Sequence, residues 1–109
     1  MSIQLPSPID LYFGATGAAR VSVVDTCFAS DGVVRDEGGS YEAIPAIRAW
    51  REDTLAKYDF TAEPLSVSTG EGKTTVRCRV KGNFPGSPIE LNHIFELSEG
   101  RIKSLEIRS

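Results

Sequence analysis

The sequence has few of the residues that build metal centres and disulfide frameworks. Its 109 residues include one histidine and two cysteines, Cys27 and Cys78, which lie far apart in the chain. These residues show no metal-ligand spacing. Both cysteines have apolar neighbours, so we expect buried free thiols rather than a disulfide. We expect neither a bound metal ion nor another cofactor.

Long apolar runs and basic runs are also missing. No stretch approaches the ~20 apolar residues that cross a bilayer, and the first residues, MSIQLPSP, lack the basic start and apolar core of a signal peptide. The net charge is −3, and the alternation of Arg77, Arg79 and Lys81 is more typical of a strand's solvent face than of a nucleic-acid groove. We therefore expect a cytoplasmic protein that contacts neither membrane nor nucleic acid.

The chain has an ordinary globular composition, with 40% hydrophobic and 25% charged residues. It contains no internal repeat, low-complexity tract or linker. At this length we expect one domain spanning residues 1–109.

The first half of the chain shows helical signals. Ser7 can cap a helix whose first position is Pro8, and this helix should run to about Thr16. A second helix carries apolar residues spaced i, i+3, i+7, and a short strand follows over residues 33–36. A third helix is predicted over 45–58. Its inward stripe should hold Ile47, Trp50, Thr54 or Leu55, and Tyr58, while Arg48, Arg51, Glu52 and Lys57 face outward.

From residue 60 the hydrophobic period changes from 3.6 to 2, which predicts four strands. Pro64 indicates an edge strand or a bulge, and the broken alternation over residues 102–107 indicates a second bulge. The short turns Glu71-Gly72 and Glu99-Gly100 favour antiparallel neighbours. The predicted class is α+β, with helices covering one face of a bent antiparallel sheet around a cone-shaped cavity.

His93 is the one titratable side chain on the inward face of the strand 89–97. Period two places it in a row with apolar residues beneath the helices. It could be a core histidine bonded to a carbonyl or a tyrosine hydroxyl, or a pocket histidine that contacts a ligand. A role as a metal ligand is disfavoured because no second ligand has suitable spacing.

Asp36 ends the strand 33–36 and shares a face with Val34. If Val34 points inward, Asp36 does too, and desolvation would raise the pKa of its carboxyl toward the range of a general base. The alternative is a solvated turn carboxylate, for which Arg35 is a candidate partner. We expect Glu37 to face outward, and Gly38-Gly39 to bend the chain from strand into helix.

Tyr12 lies in the middle of the first helix, where a buried hydroxyl needs a hydrogen-bond partner. It is either a core aromatic or a donor to a pocket. The other aromatic residues are core residues first, but some must line any cavity. We take the following as candidate ligand contacts: Phe13, Phe28, Trp50, Tyr58, Phe60, Phe84 and Phe95.

Three segments, FASDGVVRDEGG, AIRAW and NHIFELSEGRI, carry a family resemblance over nearly the whole chain. The sequence resembles the nuclear transport factor 2-like superfamily, especially its SnoaL-like polyketide cyclase and ketosteroid isomerase branches. The resemblance implies a cystatin-like cone of three helices and a strongly bent antiparallel sheet. It also implies a homodimer packed through the outer faces of the sheets.

The ketosteroid isomerase branch pairs a tyrosine of the first helix with an aspartate that ends the first strand, and Tyr12 and Asp36 match those positions. His93 stands where that branch has an acid as a second oxyanion donor. The resemblance thus implies that Asp36 abstracts a proton beside a carbonyl while Tyr12 and His93 donate hydrogen bonds to the enolate. Ala43 is a departure, because relatives commonly have glycine before the third helix.

Two functions remain open at this point. One is an isomerase-, cyclase- or dehydratase-like enzyme that acts on a small apolar carbonyl compound through Asp36. The other is a non-catalytic module that binds a hydrophobic ligand or assembles as an accessory dimer. An aspartate–arginine–aspartate relay of the epoxide hydrolase kind is not expected, because the sheet shows no clear inward arginine and no second aspartate.

Overall fold

The structure is a computed structural model that describes residues 4–109, so the first three residues of the stretch MSIQLPSP lie outside it. The described chain forms three helices and six strands. In chain order they are α1 (Ser7–Gly14), α2 (Ala19–Cys27), β1 (Phe28–Asp36), β2 (Gly39–Glu42), α3 (Ala43–Lys57), β3 (Phe60–Gly70), β4 (Lys73–Gly82), β5 (Ile89–Ser98) and β6 (Arg101–Arg108).

The six strands form one open sheet in the order β2-β1-β6-β5-β4-β3. Strands β3 to β6 are antiparallel neighbours, as their short connections predict. Strand β1, however, runs parallel to β6. The α+β class is confirmed, but the sheet is mixed because the first strand returns to pair with the last one, a long-range pairing that no turn signals.

Three hairpins of the sheet use the same dipeptide. In Glu37-Gly38, Glu71-Gly72 and Glu99-Gly100 the glutamate φ lies between 51° and 54° and the glycine φ between 76° and 79°. Positive φ at both central residues defines the type I′ turn, whose twist matches that of the flanking strands. The expectation that Gly38-Gly39 bends the chain into a helix is therefore wrong: Asp36 pairs with Gly39, which begins β2.

The helix ends differ from the predicted ones by a few residues. Pro6, not Ser7, is the N-cap of α1, and no side chain caps that helix. Helix α2 ends at Cys27, so Phe28 already belongs to β1 and the strand is longer than predicted. Ala43 begins α3 with a φ of 71°, a conformation in which a side chain is strained and glycine is not.

The hydrophobic core lies between the three helices and the inner face of the sheet. Helix α1 contacts both β3 and β6, which are separated by two strands, so the sheet curves around that helix. Both predicted bulges are present: the β3–β4 register shifts just after Pro64 on an edge strand, and the β5–β6 register shifts near Lys103. The largest fully buried side chains are Phe28, Phe95, Ile9, Ile47, Ile102 and Leu105.

Both cysteines are free and buried, as expected. Burial raises the pKa of the Cys27 thiol to about 11 and that of Cys78 to about 12, so neither is an activated nucleophile. Within residues 4–109, no helix has the length and apolar character needed to cross a membrane.

Candidate functional site

A cavity of about 460 Å³ lies between the helices and the inner face of the sheet. This volume falls in the usual range for small-molecule pockets, roughly 300–1,000 Å³. Much of the wall is aromatic. The aromatic lining residues besides Tyr12 are Phe13, Trp50, Tyr58, Phe60 and Phe84.

Tyr12, Asp36 and His93 all line this one cavity. The sheet register explains why two of them meet there: Asp36 on β1 and His93 on β5 both pair with Ile107 of the strand between them. Residues in one such row share a face, and strands are spaced by about 4.8 Å, so the two backbones lie roughly 10 Å apart. The carboxylate and the imidazole therefore reach the cavity from either side of β6.

Five of the seven aromatic residues expected to contact a ligand line the cavity, and two do not. Phe28 and Phe95 have no exposed surface and are absent from the lining. Both rings pack edge-on against Tyr12, with centroids 6.1 and 6.0 Å from its ring. They form the core behind the site, so the expectation that they contact a ligand is corrected.

Asp36 is a partly buried carboxylate held by a tryptophan. Trp50 donates a hydrogen bond from Nε1 to Oδ2 of Asp36 over 3.1 Å. Burial raises the pKa of the Asp36 carboxyl, the Trp50 hydrogen bond acts in the opposite direction, and the charge of neighbouring Glu37 raises it again. Asp36 is thus a stronger base than a solvated aspartate, and its orientation is fixed by α3.

Arg51 is a residue of the cavity wall that the sequence analysis did not predict. It was expected to face outward, yet only 6% of it is exposed. It lies four residues after Ile47 and therefore on the same helix face, a spacing that could have revealed it. Its guanidinium carbon lies 4.6 Å from the centroid of the Tyr12 ring, and Arg51 lines the cavity.

The hydroxyl of Tyr12 has a charged partner. Arg51 Nη1 donates a hydrogen bond to it over 3.0 Å, while Arg51 Nε donates to the carbonyl of Arg20 over 3.1 Å. Burial raises the pKa of Tyr12, and the Arg51 charge opposes that effect. The neutral phenol accepts this hydrogen bond from Arg51, which leaves its own O–H free to donate a hydrogen bond.

His93 is buried with 5% of its surface exposed, and its Nδ1 has no hydrogen-bond partner within residues 4–109. Burial lowers the pKa of His93 to about 4, with Arg51 contributing. The imidazole is therefore neutral near pH 7, with one nitrogen as donor and one as acceptor. Among the residues that the structure describes, its Nδ1 therefore lacks the carbonyl or hydroxyl partner that is expected for a core histidine.

Two kinds of chemistry lack the side chains they need. No group of three or more His, Cys, Asp or Glu side chains in the described chain could hold a metal ion. Arg51 does point inward, contrary to expectation, but none of the ion pairs found across residues 4–109 joins it to a carboxylate. An aspartate–arginine–aspartate relay needs acids paired with its arginine, and within the described residues Arg51 has no such pair.

The SnoaL-like domain model matches residues 9–105. A candidate polyketide cyclase from Sinorhizobium meliloti has a similar structure, with 36% identity, a TM-score of 0.89 and 95% of each chain covered. No protein of curated function matches the sequence. The chain belongs to the SnoaL-like family.

Two more distant structures show the same fold. A protein with a ketosteroid isomerase-like fold from Catenulispora acidiphila, in complex with trimethylamine, is 18% identical with a TM-score of 0.81, over 97% of this chain and 87% of that one. A cystatin-fold protein from Novosphingobium aromaticivorans is 14% identical with a TM-score of 0.75, over 94% and 96% of the two chains. The predicted cystatin-like, nuclear transport factor 2-like fold is thereby confirmed.

Proposed function

We propose that the protein is a cofactor-independent isomerase, cyclase or lyase that removes a proton next to a carbonyl of a small apolar substrate. The single observation that carries this proposal is Asp36, a desolvated carboxylate in the wall of an aromatic cavity. A base whose pKa is raised toward neutrality removes a proton from carbon more effectively than a solvated aspartate. The similarity to a candidate polyketide cyclase supports the same class of chemistry.

The other polar side chains of the cavity suit the charge that this reaction develops. Proton abstraction beside a carbonyl moves negative charge onto the carbonyl oxygen. Tyr12 and neutral His93 can each donate a hydrogen bond to that oxygen. Each well-placed oxyanion donor is typically worth roughly 3 kcal/mol of transition-state stabilisation. Trp50 positions the base by its hydrogen bond to Asp36.

The substitution Asp36→Asn tests the proposal because it keeps the shape and the acceptor for Trp50 but removes the base. Proton abstraction can be followed without knowing the product, by NMR detection of hydrogen–deuterium exchange next to the carbonyl of a panel of cyclic ketones and arylacetic esters. We expect catalysed exchange to fall by roughly 10²–10⁴-fold while ligand affinity is kept.

Asp31→Asn is the matched control, because Asp31 is an exposed acid on the same strand and is not part of the cavity wall. Exchange should be unchanged in this variant. If the wild type catalyses no exchange, or if Asp36→Asn exchanges as fast as the wild type, the enzyme proposal is wrong. Binding without exchange would favour the alternative, a hydrophobic-ligand-binding module.

We also propose that two copies associate through the outer face of the sheet. That face carries Ile94, partly exposed in the single chain, beside charged residues such as the pair Arg77–Glu90 at 3.0 Å. Sedimentation equilibrium should give a dimer for the wild type and a monomer for Ile94→Asp. A monomeric wild type would rule out this association.

A further inference from the structure

Arg51 is a buried charge that has no anionic partner among residues 4–109. A guanidinium has five N–H donors, and two hydrogen bonds are formed, to the Tyr12 hydroxyl and to the Arg20 carbonyl. Across residues 4–109 no carboxylate forms an ion pair with Arg51, and no third hydrogen bond of its guanidinium is found. Three donors therefore remain for whatever occupies the cavity that Arg51 lines.

Buried cations in proteins are normally paired, because removing the charge from water is costly. The ring of Tyr12 beneath the guanidinium compensates in part. A second guanidinium, that of Arg20, also lines the cavity. Burial first and the Arg51 charge second lower the pKa of Arg20, and Asp59 acts in the opposite direction. Two guanidiniums facing one cavity form an arrangement that a bound anion stabilises.

Asp36, the partly buried acid of the cavity wall, does not fill this role. Asp36 accepts its hydrogen bond from Trp50, and the Arg51 charge is not among the influences on its pKa. His93 does not add a positive charge, since it is neutral near pH 7. The cavity is therefore lined by the Arg51 guanidinium, by aromatic side chains and by the carboxylates of Asp36, Glu37 and Asp59. Within residues 4–109, none of these carboxylates forms an ion pair with Arg51.

We propose that Arg51, together with the Tyr12 hydroxyl, binds the carboxylate of an apolar, ring-bearing acid. The planar fork of a guanidinium matches a carboxylate in a bidentate pair, and an aromatic wall favours a ring in the remainder of the ligand. The proposal rests on the proposed function only in taking the cavity as the substrate site. It specifies the substrate class: a carboxylic acid anchored at one end, with its reacting carbon presented to Asp36.

Matched pairs of acids and primary amides test this on the wild-type protein. Suitable pairs are 2-naphthoate with 2-naphthamide and 4-phenylbutyrate with 4-phenylbutanamide, which share shape but differ in charge. A hydrogen bond to a charged group is worth roughly 1.5–3 kcal/mol, so calorimetry at neutral pH should show each acid binding at least about tenfold more tightly than its amide. Equal affinity, tighter binding of the amide, or binding of neither member overturns the proposal.

Substitutions in α3 assign the preference to one residue. Arg51→Gln should bring acid and amide to equal affinity. Arg48→Gln is the control, since Arg48 lies one turn earlier on the same helix, half-exposed, and pairs with Asp25 on the surface. A preference for the acid that survives Arg51→Gln overturns the assignment.

If Arg51→Gln does not fold, Tyr12→Phe provides a second test, because it removes the hydroxyl and keeps the ring. This variant should reduce the preference for the acid severalfold, and an unreduced preference counts against the proposal.

The outcome for this site is separable from the outcome for the proposed enzyme. Preference for the acid without any proton exchange would leave the acid site standing and remove the catalytic role of Asp36. Exchange on neutral ketones without preference for the acid would leave the catalytic role standing and remove the acid site. Asp36→Asn should abolish exchange and leave the preference for the acid in place.

Discussion

Acidification should weaken the fold through His93, the only histidine among the 109 residues. Its pKa falls from 6.5 to about 4 in the folded protein because of burial first and the Arg51 charge second. The unfolded chain therefore binds a proton more readily than the folded chain between these pH values. The free energy of unfolding keeps its full value above pH 6.5 and decreases as the pH falls toward 4.

The size of the effect follows from the pKa difference. Each pKa unit corresponds to about 1.4 kcal/mol, so the change from 6.5 to about 4 amounts to about 3 kcal/mol at full protonation. Domains of this size are commonly stable by roughly 5–15 kcal/mol, and the loss should be plain in urea unfolding curves. Asp36 acts in the opposite sense, since burial raises the pKa of its carboxyl above 3.8, so that stability falls as the pH rises above that value.

Two measurements isolate the histidine. Proton NMR follows the single imidazole directly, and we expect it to stay neutral down to about pH 4, its pKa in the fold. Urea unfolding at about pH 7 and about pH 4.5 gives the free energy of unfolding of the wild type and of His93→Gln. Acidification should lower this free energy more in the wild type than in the variant. Titration near 6.5, or parallel pH dependence of the two proteins, would refute the buried, unpartnered histidine.

Two further substitutions test the environment of α3. Ala43→Gly should raise stability by about 0.5–1 kcal/mol, because Ala43 has a φ of 71°, whereas Ala49→Gly, an exposed position inside the same helix, should lower it by about 1 kcal/mol; equal losses in urea unfolding would contradict the strained start of α3. Trp50→Phe removes the Nε1 donor to Asp36, so the pKa of the carboxyl should rise and the acidic limb of the exchange–pH profile should move to higher pH. An unmoved limb would show that the hydrogen bond does not tune the base.

The sheet was predictable where pairing is local, and less so where it is not. The alternating strands from residue 60 and the turns Glu71-Gly72 and Glu99-Gly100 are as predicted, because each hairpin is encoded within its own residues. The same dipeptide at Glu37-Gly38 was available as a signal for the first hairpin. The parallel pairing of β1 with β6 joins two strands that lie far apart in the sequence, and no local pattern specifies it.

The residues of the site were predictable where the hydrophobic periodicity of an element indicates which side chains face inward. Strand period two predicted that His93 faces inward, and the sheet register then brings it and Asp36 to either side of Ile107. Arg51 was assigned to solvent because charged residues usually lie there, although its spacing from Ile47 places it inside. Phe28 and Phe95 show the converse limit: inward orientation does not distinguish a residue that fills the core from one that lines a cavity.

The most direct test of the account is a crystal structure of the protein with 2-naphthoate bound. We predict that the carboxylate lies within hydrogen-bond distance of Arg51 and of the Tyr12 hydroxyl, with the ring against the aromatic wall and Asp36 still bonded to Trp50. A cavity closed by its own side chains, a ligand bound elsewhere, or a carboxylate turned away from Arg51 would contradict the account.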